Sequence, residues 1–254
     1  MTRPMTSVLR RLFPLATLAA IGAALLANQV AALAYAPGST GYDISFPQCG
    51  GAYPGGAFGI VGVNGGYPFV HYNPCLADQY ARTPNAGLYI NTGYDPLYTQ
   101  VDGKHTTLEC FVQSIFVRGS SAQKAAWGAG CSEATRSMSY ATSQGAVKPS
   151  GWWLDVETDN SWSSTDLSLN QFTIQGIVDT LVRRSLAPVG IYSTPYQWRT
   201  IVGSLQITGA AADWVATGHT TIDGVRAACG AGFSGAPVRL VQYLRDGFDA
   251  NYGC

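Results

Sequence analysis

The stretch Trp152-Trp153-Leu154-Asp155-Val156-Glu157 is a short apolar run that ends in two acidic residues. Its length and its aromatic and β-branched residues are typical of a buried β-strand. Residues two apart on a strand point to the same face, and their Cα atoms lie about 6.6 Å apart. The sequence therefore predicts a strand over 152–156 whose end presents the carboxyl groups of Asp155 and Glu157 to one side of a sheet.

Similar apolar runs recur along the chain, with longer polar or helical stretches between them. The predicted strands are Tyr42–Phe46, Gly59–Val63, Gly87–Asn91, Trp152–Val156, Val189–Tyr192, Asp213–Ala216 and Val238–Tyr243, with Phe111–Val117 as a further candidate. Strands that alternate with helices indicate the α/β class, and this number of strands favours one irregular (β/α) TIM-like barrel. A doubly wound open sheet is the alternative, although no glycine-rich stretch spells the G-x-G-x-x-G of a dinucleotide site.

Three helices can be placed between these strands. Apolar residues recur at helical spacing within Leu167–Ser185. Thr194 can cap a short helix that begins at Pro195, and Gly203 can end it. Ser121–Gln144 is predicted to be largely helical.

The start of the chain is typical of a signal peptide. Three arginines precede an apolar run from Leu12 to Leu26, and the small residues Ala32 and Ala34 follow. We predict a signal peptide over 1–34, cleaved after Ala34 or alternatively after Ala36, and one mature domain over 35–254. An uncleaved anchor is the alternative, and the Arg10-Arg11 pair leaves open whether export uses a twin-arginine route.

The six cysteines all follow the predicted cleavage site. An even number of cysteines in an exported chain predicts three disulfide bonds. The order along the chain favours neighbouring pairs, namely Cys49 with Cys75, Cys110 with Cys131 and Cys229 with Cys254. Metal binding is the alternative, but no pair has C-x-x-C spacing, and the histidines His71, His105 and His219 are scattered singly. The sequence thus implies no metal and no organic cofactor.

Charge excludes several classes of partner. Loss of the three arginines with the signal peptide leaves 12 basic residues against 15 acidic ones. No basic stripe is present, which argues against a nucleic-acid partner and against anionic lipid surfaces. We expect a monomer with no stable membrane insertion once the signal peptide is removed.

Paired carboxylates such as Asp155 and Glu157 are used in glycoside hydrolysis, where one donates a proton and the other stays ionised. Structurally, they could instead cap the next loop or pair with an arginine. Asp43 on the first predicted strand and Asp249 after the last one have similar settings. Because the first and last strands of a closed barrel are neighbours, all four acids are expected at one mouth, unless these two are merely turn or cap residues.

Several motifs occur in a characteristic order. They are Tyr42-Asp43-Ile44-Ser45-Phe46-Pro47-Gln48, Leu154-Asp155-Val156-Glu157, Gly190-Ile191-Tyr192-Ser193, Trp214-Val215-Ala216, Val241-Gln242-Tyr243 and Asp249. Over residues 41–251 this order resembles the family 25 glycoside hydrolases, the Chalaropsis-type lysozymes or muramidases, or a bacterial branch close to them. The resemblance implies cleavage of the bond after N-acetylmuramic acid in peptidoglycan. It also implies that Glu157 is the general acid, that Asp155 stabilises the intermediate or orients the acetamido group, and that Asp43 and Asp249 line the floor.

Aromatic side chains can stack on sugar rings. Those predicted to bind substrate from strands near the mouth are Tyr89, Tyr192, Trp214 and Tyr243, although each could instead belong to the core. The sequence departs from the family at the third strand and at Val63-Asn64-Gly65-Gly66, where a charged residue is more usual. The long segment Tyr98–Ser150 is expected to form a cover over the cleft.

These features predict a secreted or cell-wall glycosidase that acts on peptidoglycan or a related amino-sugar polymer. The alternative is a non-catalytic glycan-binding or cell-envelope protein that keeps the barrel. A serine hydrolase is not supported, because no serine lies in a G-x-S-x-G motif.

Overall fold

Eight strands close into a barrel in the order of the sequence in the computed structural model, which describes residues 35–65 and 71–254. The signal peptide predicted over 1–34 lies outside the described residues. The strands are β1 (Thr40–Ile44), β2 (Phe58–Gly62), β3 (Gly87–Asn91), β4 (Trp152–Asp155), β5 (Val189–Ser193), β6 (Ala212–Ala216), β7 (Val238–Arg245) and β8 (Phe248–Gly253). The helices are α1 (Leu76–Arg82), α2 (Leu108–Ser114), α3 (Ser121–Ser143), α4 (Leu167–Ser185), α5 (Pro195–Val202) and α6 (Ile222–Ala227).

The barrel is irregular at its closure. Neighbouring strands from β1 to β7 are parallel, whereas β8 runs antiparallel to both β7 and β1. Asp246 and Gly247 form the two-residue turn between β7 and β8, with φ angles of 54° and 79°. Positive φ at both positions matches the tight turns that Asp-Gly favours in hairpins. The α/β barrel predicted from the sequence is confirmed, and the doubly wound sheet is excluded.

Most predicted elements occur where the sequence places them. Helix α4 has the predicted bounds, and α5 is capped by Thr194, whose Oγ1 accepts a hydrogen bond from the Gln197 amide at 3.0 Å. The strand candidate Phe111–Val117 is wrong, because most of it belongs to α2 and the turn that follows. Thr107 caps α2 by accepting a hydrogen bond from the Cys110 amide at 3.2 Å.

Large aromatic side chains fill the barrel interior, including Trp153 and Trp214. Glycines at the paired positions of adjacent strands make room for them. A Cβ atom on Gly190 would lie 2.2 Å from Cζ3 of Trp153, and one on Gly62 would lie 2.6 Å from Cζ of Tyr89. Trp152, the neighbour of Trp153, points outward and packs in the layer between the barrel and the helices. Aromatic side chains therefore fill much of the interior, and a pocket lies at the carboxyl end of the parallel strands.

Three disulfide bonds cross-link the chain. They join Cys49 to Cys75, Cys110 to Cys131 and Cys229 to Cys254, which are the neighbouring pairs that the chain order favours. The last of these attaches the end of β8 to the segment before β7. None of the helices in residues 35–65 and 71–254 combines the length and apolar character needed to span a bilayer.

Candidate active site

Four carboxyl groups surround one pocket at the carboxyl end of the parallel strands. Asp43 comes from β1, Asp155 ends β4, Glu157 follows it, and Asp249 lies near the start of β8. Because β8 runs antiparallel, its start lies at the same end of the barrel where the other strands finish. The space accessible to water in this pocket is about 130 Å³. The structure thus brings all four predicted acids together.

Asp155, at the end of β4, and Glu157, two residues later, form a tightly linked pair, the β4 pair. Asp155 is 8% exposed and Glu157 is partly exposed. Burial raises the pKa of Asp155 well above its ordinary value, and the negative charge of Glu157 raises it further. Burial also raises the pKa of Glu157. Since two adjacent carboxyl groups cannot both ionise easily, the pair holds a proton to a higher pH than an isolated carboxyl group does.

Asp43 is held by two amide side chains. Its Oδ2 accepts hydrogen bonds from Nε2 of Gln242 at 3.1 Å and from Nδ2 of Asn251 at 2.8 Å. Burial and, secondarily, the charge of Asp249 raise the pKa of Asp43 to about 7. Asp249 is the most exposed of the four acids. Asp43 is therefore fixed in place and titrates in the neutral range.

Three of the four predicted aromatic residues line the pocket, namely Tyr89, Tyr192 and Trp214. The Tyr192 hydroxyl donates a hydrogen bond to Oε1 of Gln242 at 2.8 Å, and its ring packs edge-on against Trp214 with centroids 4.5 Å apart. The prediction for Tyr243 is wrong. Side chains alternate along β7, and since Gln242 points inward, Tyr243 points outward into an apolar cluster, where it is 5% exposed.

Sequence reasoning missed the amides around the acids. Gln242 lines the pocket, and Asn251 lies two positions after Asp249 on the same face of β8. A strand over 248–253, signalled by the Asp-Gly turn before it, would have placed Asn251 inside the barrel.

The predicted cover over the cleft is also wrong. No residue of the segment Tyr98–Ser150 lines the pocket, because this segment forms α2 and α3 on the outside of the barrel. Within the described part of the chain, no group of three or more metal-ligating side chains is close enough to hold a metal ion.

Comparison with solved structures identifies proteins with the same architecture. A family 25 lysozyme from Aspergillus fumigatus superposes with a TM-score of 0.52 at 13% sequence identity, over 85% of this chain and 93% of that chain. The chain has the fold of the family 25 lysozymes. A muramidase from Acremonium alcalophilum also shares this lysozyme fold, with a TM-score of 0.50 and 16% identity over 85% of this chain and 93% of that one.

The modular Cpl-1 endolysin, solved in complex with a peptidoglycan analogue, superposes with a TM-score of 0.50 at 14% identity. The match covers 86% of this chain and 55% of the endolysin. No protein-family model matches the sequence, and no curated protein is similar to it in sequence. At these identities the likeness to the lysozymes concerns the fold.

Proposed function

We propose that the protein is an exported glycoside hydrolase that cleaves peptidoglycan by acid catalysis from the β4 pair. The observation that carries the proposal is the linked pair of Asp155 and Glu157, which sits in the pocket at the carboxyl end of the barrel. This is the end at which barrel enzymes place their chemistry. A buried carboxyl pair that keeps one proton is suited to protonate a glycosidic oxygen at neutral pH.

In the proposed reaction, Glu157 donates its proton to the oxygen of the leaving sugar, and the bond between that oxygen and the anomeric carbon breaks. Positive charge develops on the sugar that remains; a water molecule then adds to its anomeric carbon and returns one proton to the carboxyl pair. With the shared proton on Glu157, Asp155 is ionised and faces this charge, or it orients the acetamido group of the substrate. In the free protein the hydrogen bond within the pair raises the pKa of Asp155 and lowers that of Glu157, so the shared proton lies on Asp155. We propose that substrate binding moves this proton to Glu157, the more exposed member of the pair and the one within reach of the leaving oxygen.

The remaining pocket residues are assigned to substrate binding. Asp43 and Asp249 line the floor and accept hydrogen bonds from sugar hydroxyls. Tyr89, Tyr192 and Trp214 provide aromatic surfaces for the sugar rings. Peptidoglycan is the proposed polymer because the structures that share this fold include a muramidase and an endolysin bound to a peptidoglycan analogue.

We further propose that the protein acts outside the cell as a monomer, without a metal or an organic cofactor. Two observations support export: the signal-peptide pattern over 1–34 and the pairing of all six cysteines in disulfide bonds. Disulfides persist in oxidising compartments, which include the extracellular space and the bacterial periplasm.

Reducing-end release from purified peptidoglycan tests this function, with chitin as the second polymer. We expect release from peptidoglycan by the wild-type protein and none by Glu157→Gln. Binding of the insoluble polymer is measured in parallel by co-sedimentation. Binding without release by the wild-type protein would contradict the enzymatic proposal and favour the non-catalytic glycan-binding alternative.

A further inference from the structure

A buried carboxyl group outside the pocket is not used by the proposed chemistry. Glu133 lies in the middle of α3 and is 1% exposed. Its Oε1 accepts hydrogen bonds from Nδ2 of Asn64 at 3.2 Å and from Oγ of Ser137 at 3.1 Å. Asn64, just after β2, is itself 2% exposed. Burial of polar groups costs free energy unless they are hydrogen-bonded. Glu133 and Asn64 therefore depend on the partners that they have in the folded protein.

Both polar atoms of the Asn64 side chain are hydrogen-bonded to the backbone of Asn91. Oδ1 of Asn64 accepts a hydrogen bond from the Asn91 amide at 2.7 Å, and Nδ2 donates to the Asn91 carbonyl at 3.0 Å. Glu133 accepts a second hydrogen bond from the same Nδ2 and so holds the Asn64 amide in the orientation that the Asn91 backbone requires. The end of β3 is therefore clamped by a side chain that is anchored to α3.

Asn91 in turn contacts the β4 pair. Its Nδ2 donates a hydrogen bond to Oδ2 of Asp155 at 3.1 Å. The carboxyl group of Asp155 also shares a hydrogen bond with that of Glu157. The bond from Asn91 thus occupies Oδ2 of Asp155 and holds the carboxyl group that shares a proton with Glu157.

We propose that Glu133, Asn64 and Asn91 form a chain of positioning residues that fixes the carboxyl group of Asp155 in the orientation needed for glycoside cleavage. The inference rests on the proposed function for its purpose, but the chain itself is defined by contacts. It runs from a helix on the outside of the barrel to the pocket, through buried hydrogen bonds at every step.

The chain has a consequence for titration. The hydrogen bond from Asn91 stabilises the ionised form of Asp155 and lowers its pKa, against the larger opposing effect of burial. Weakening the chain should therefore raise the pKa further. The other ionisable groups that act on Asp155 are Glu157 on the same segment, Asp43 on β1, Tyr89 on β3 and Tyr192 on β5, and the proposed substitutions leave all of them in place.

The test is a carbon-13 NMR titration of the Asp155 side-chain carboxyl group in the wild-type protein and in variants. Asn91→Ala, which removes the donor, should move the titration upward by about half a pH unit or more. Asn64→Ala and Glu133→Met should move it in the same direction by less. Glu133→Gln is the matched control, because it keeps an acceptor oxygen, and it should leave the titration unchanged.

An unchanged titration in folded Asn64→Ala or Glu133→Met would overturn the proposal, whatever Asn91→Ala does, because it would show that Asn91 needs no support. If one of these two variants does not fold by circular dichroism, the other decides. No substrate is needed, so the result is separate from the proposed function. A wild-type protein that cleaves no glycan would contradict the function and leave the titration test intact.

Discussion

The pocket receives two pairs of acids, and the barrel supplies them in different ways. Asp155 and Glu157 come from one segment, two positions apart, and each alters the pKa of the other. Asp43 and Asp249 come from opposite ends of the chain and meet only because β8 closes the barrel against β1. The first pair is a feature of a single strand, whereas the second is a feature of the closure.

The environments of the two pairs also differ. Asp155 is 8% exposed, and its carboxyl group shares a hydrogen bond with that of Glu157. Asp43 receives two amide hydrogen bonds on one oxygen, and Asp249 is exposed. Burial raises the pKa of both Asp155 and Asp43, but only Asp155 shares a proton directly with a neighbouring carboxyl group, whereas Asp43 accepts two amide hydrogen bonds that favour its ionised form. We therefore expect catalysis to depend mainly on the β4 pair.

The largest effect is expected for Glu157→Gln. Loss of a general acid should lower kcat by about 100- to 10,000-fold, with glycan affinity largely kept. Turnover on soluble peptidoglycan fragments measures this change. Glu109→Gln, the same substitution on the exposed helix α2, is the control and should be as active as the wild-type protein. Equal activity of the two variants would remove Glu157 from the proposed role.

The next largest effect concerns the disulfide bond that holds the end of β8, the strand that closes the barrel. Replacing Cys229 and Cys254 by serine releases the end of β8 and should lower the free energy of unfolding by about 2–4 kcal/mol. The control removes Cys110 and Cys131, which close a loop of similar length, with a separation of 21 residues against 25. Urea unfolding compares the stabilities of the two variants.

The two double variants should also differ in the titration of Asp43. Only the first double variant should alter the titration of Asp43, since Asn251, one of its two donors, lies on β8. An equal shift of this titration in both variants would contradict the claim that β8 supports Asp43 whereas the outer helices α2 and α3 do not.

A smaller effect concerns stability as a function of pH. The pKa of Asp43 rises from 3.8 to about 7 on folding, so between these values the folded state binds more protons than the unfolded state. Stability from this group is therefore present at low pH and is lost as the pH rises from about 4 to about 7. Asp43→Asn should weaken this loss. Thermal unfolding at several pH values measures it.

The control for this prediction is Asp223→Asn at an exposed position of α6. Its ion-pair partner Arg226 stays charged throughout this pH range. Between pH 4 and pH 8 this variant should keep the wild-type slope. If Asp43→Asn also keeps that slope, the carboxyl group of Asp43 is ionised throughout, and its assignment is wrong.

The smallest effect is expected for Asp249→Asn. The charge of Asp249 contributes to the raised pKa of Asp43, so its removal should lower that pKa by less than about one unit. NMR titration of the Asp43 carboxyl group measures the shift. Asp246→Asn, an exposed neighbour in the β7–β8 turn, should leave it unchanged. An upward shift in Asp249→Asn would have the wrong sign for two interacting carboxylates.

The same contrast explains what could be predicted from the sequence. The spacing of Asp155 and Glu157 on an apolar strand was enough to place both in one pocket, because a strand repeats every two residues. The sequence places Asp249 at the mouth but does not reveal its strand, since the polar residues Asp249 and Asn251 interrupt the apolar pattern of β8, which is signalled mainly by the Asp246-Gly247 turn. The local sequence pattern therefore predicts the position of the β4 pair better than it predicts how β8 closes the barrel.

Two further features of the site could not be predicted from the local sequence pattern. β7 is apolar on both faces around Leu240 and Val241, so the sequence does not reveal which face points inward, and Tyr243 was assigned to the pocket instead of Gln242. The contact between Asn64 and Asn91 joins residues 27 positions apart. Nothing in the local pattern of either residue indicates such a tertiary contact.

The most direct test of glycoside cleavage by the β4 pair is the chemical identity of the new sugar end. Peptidoglycan is incubated with the wild-type protein or with Glu157→Gln and is then reduced with borohydride, which converts each new reducing end to its alditol. The account predicts the alditol of muramic acid with the wild-type protein and none with Glu157→Gln. Absence of any new alditol with the wild-type protein, or equal amounts with both proteins, would contradict it.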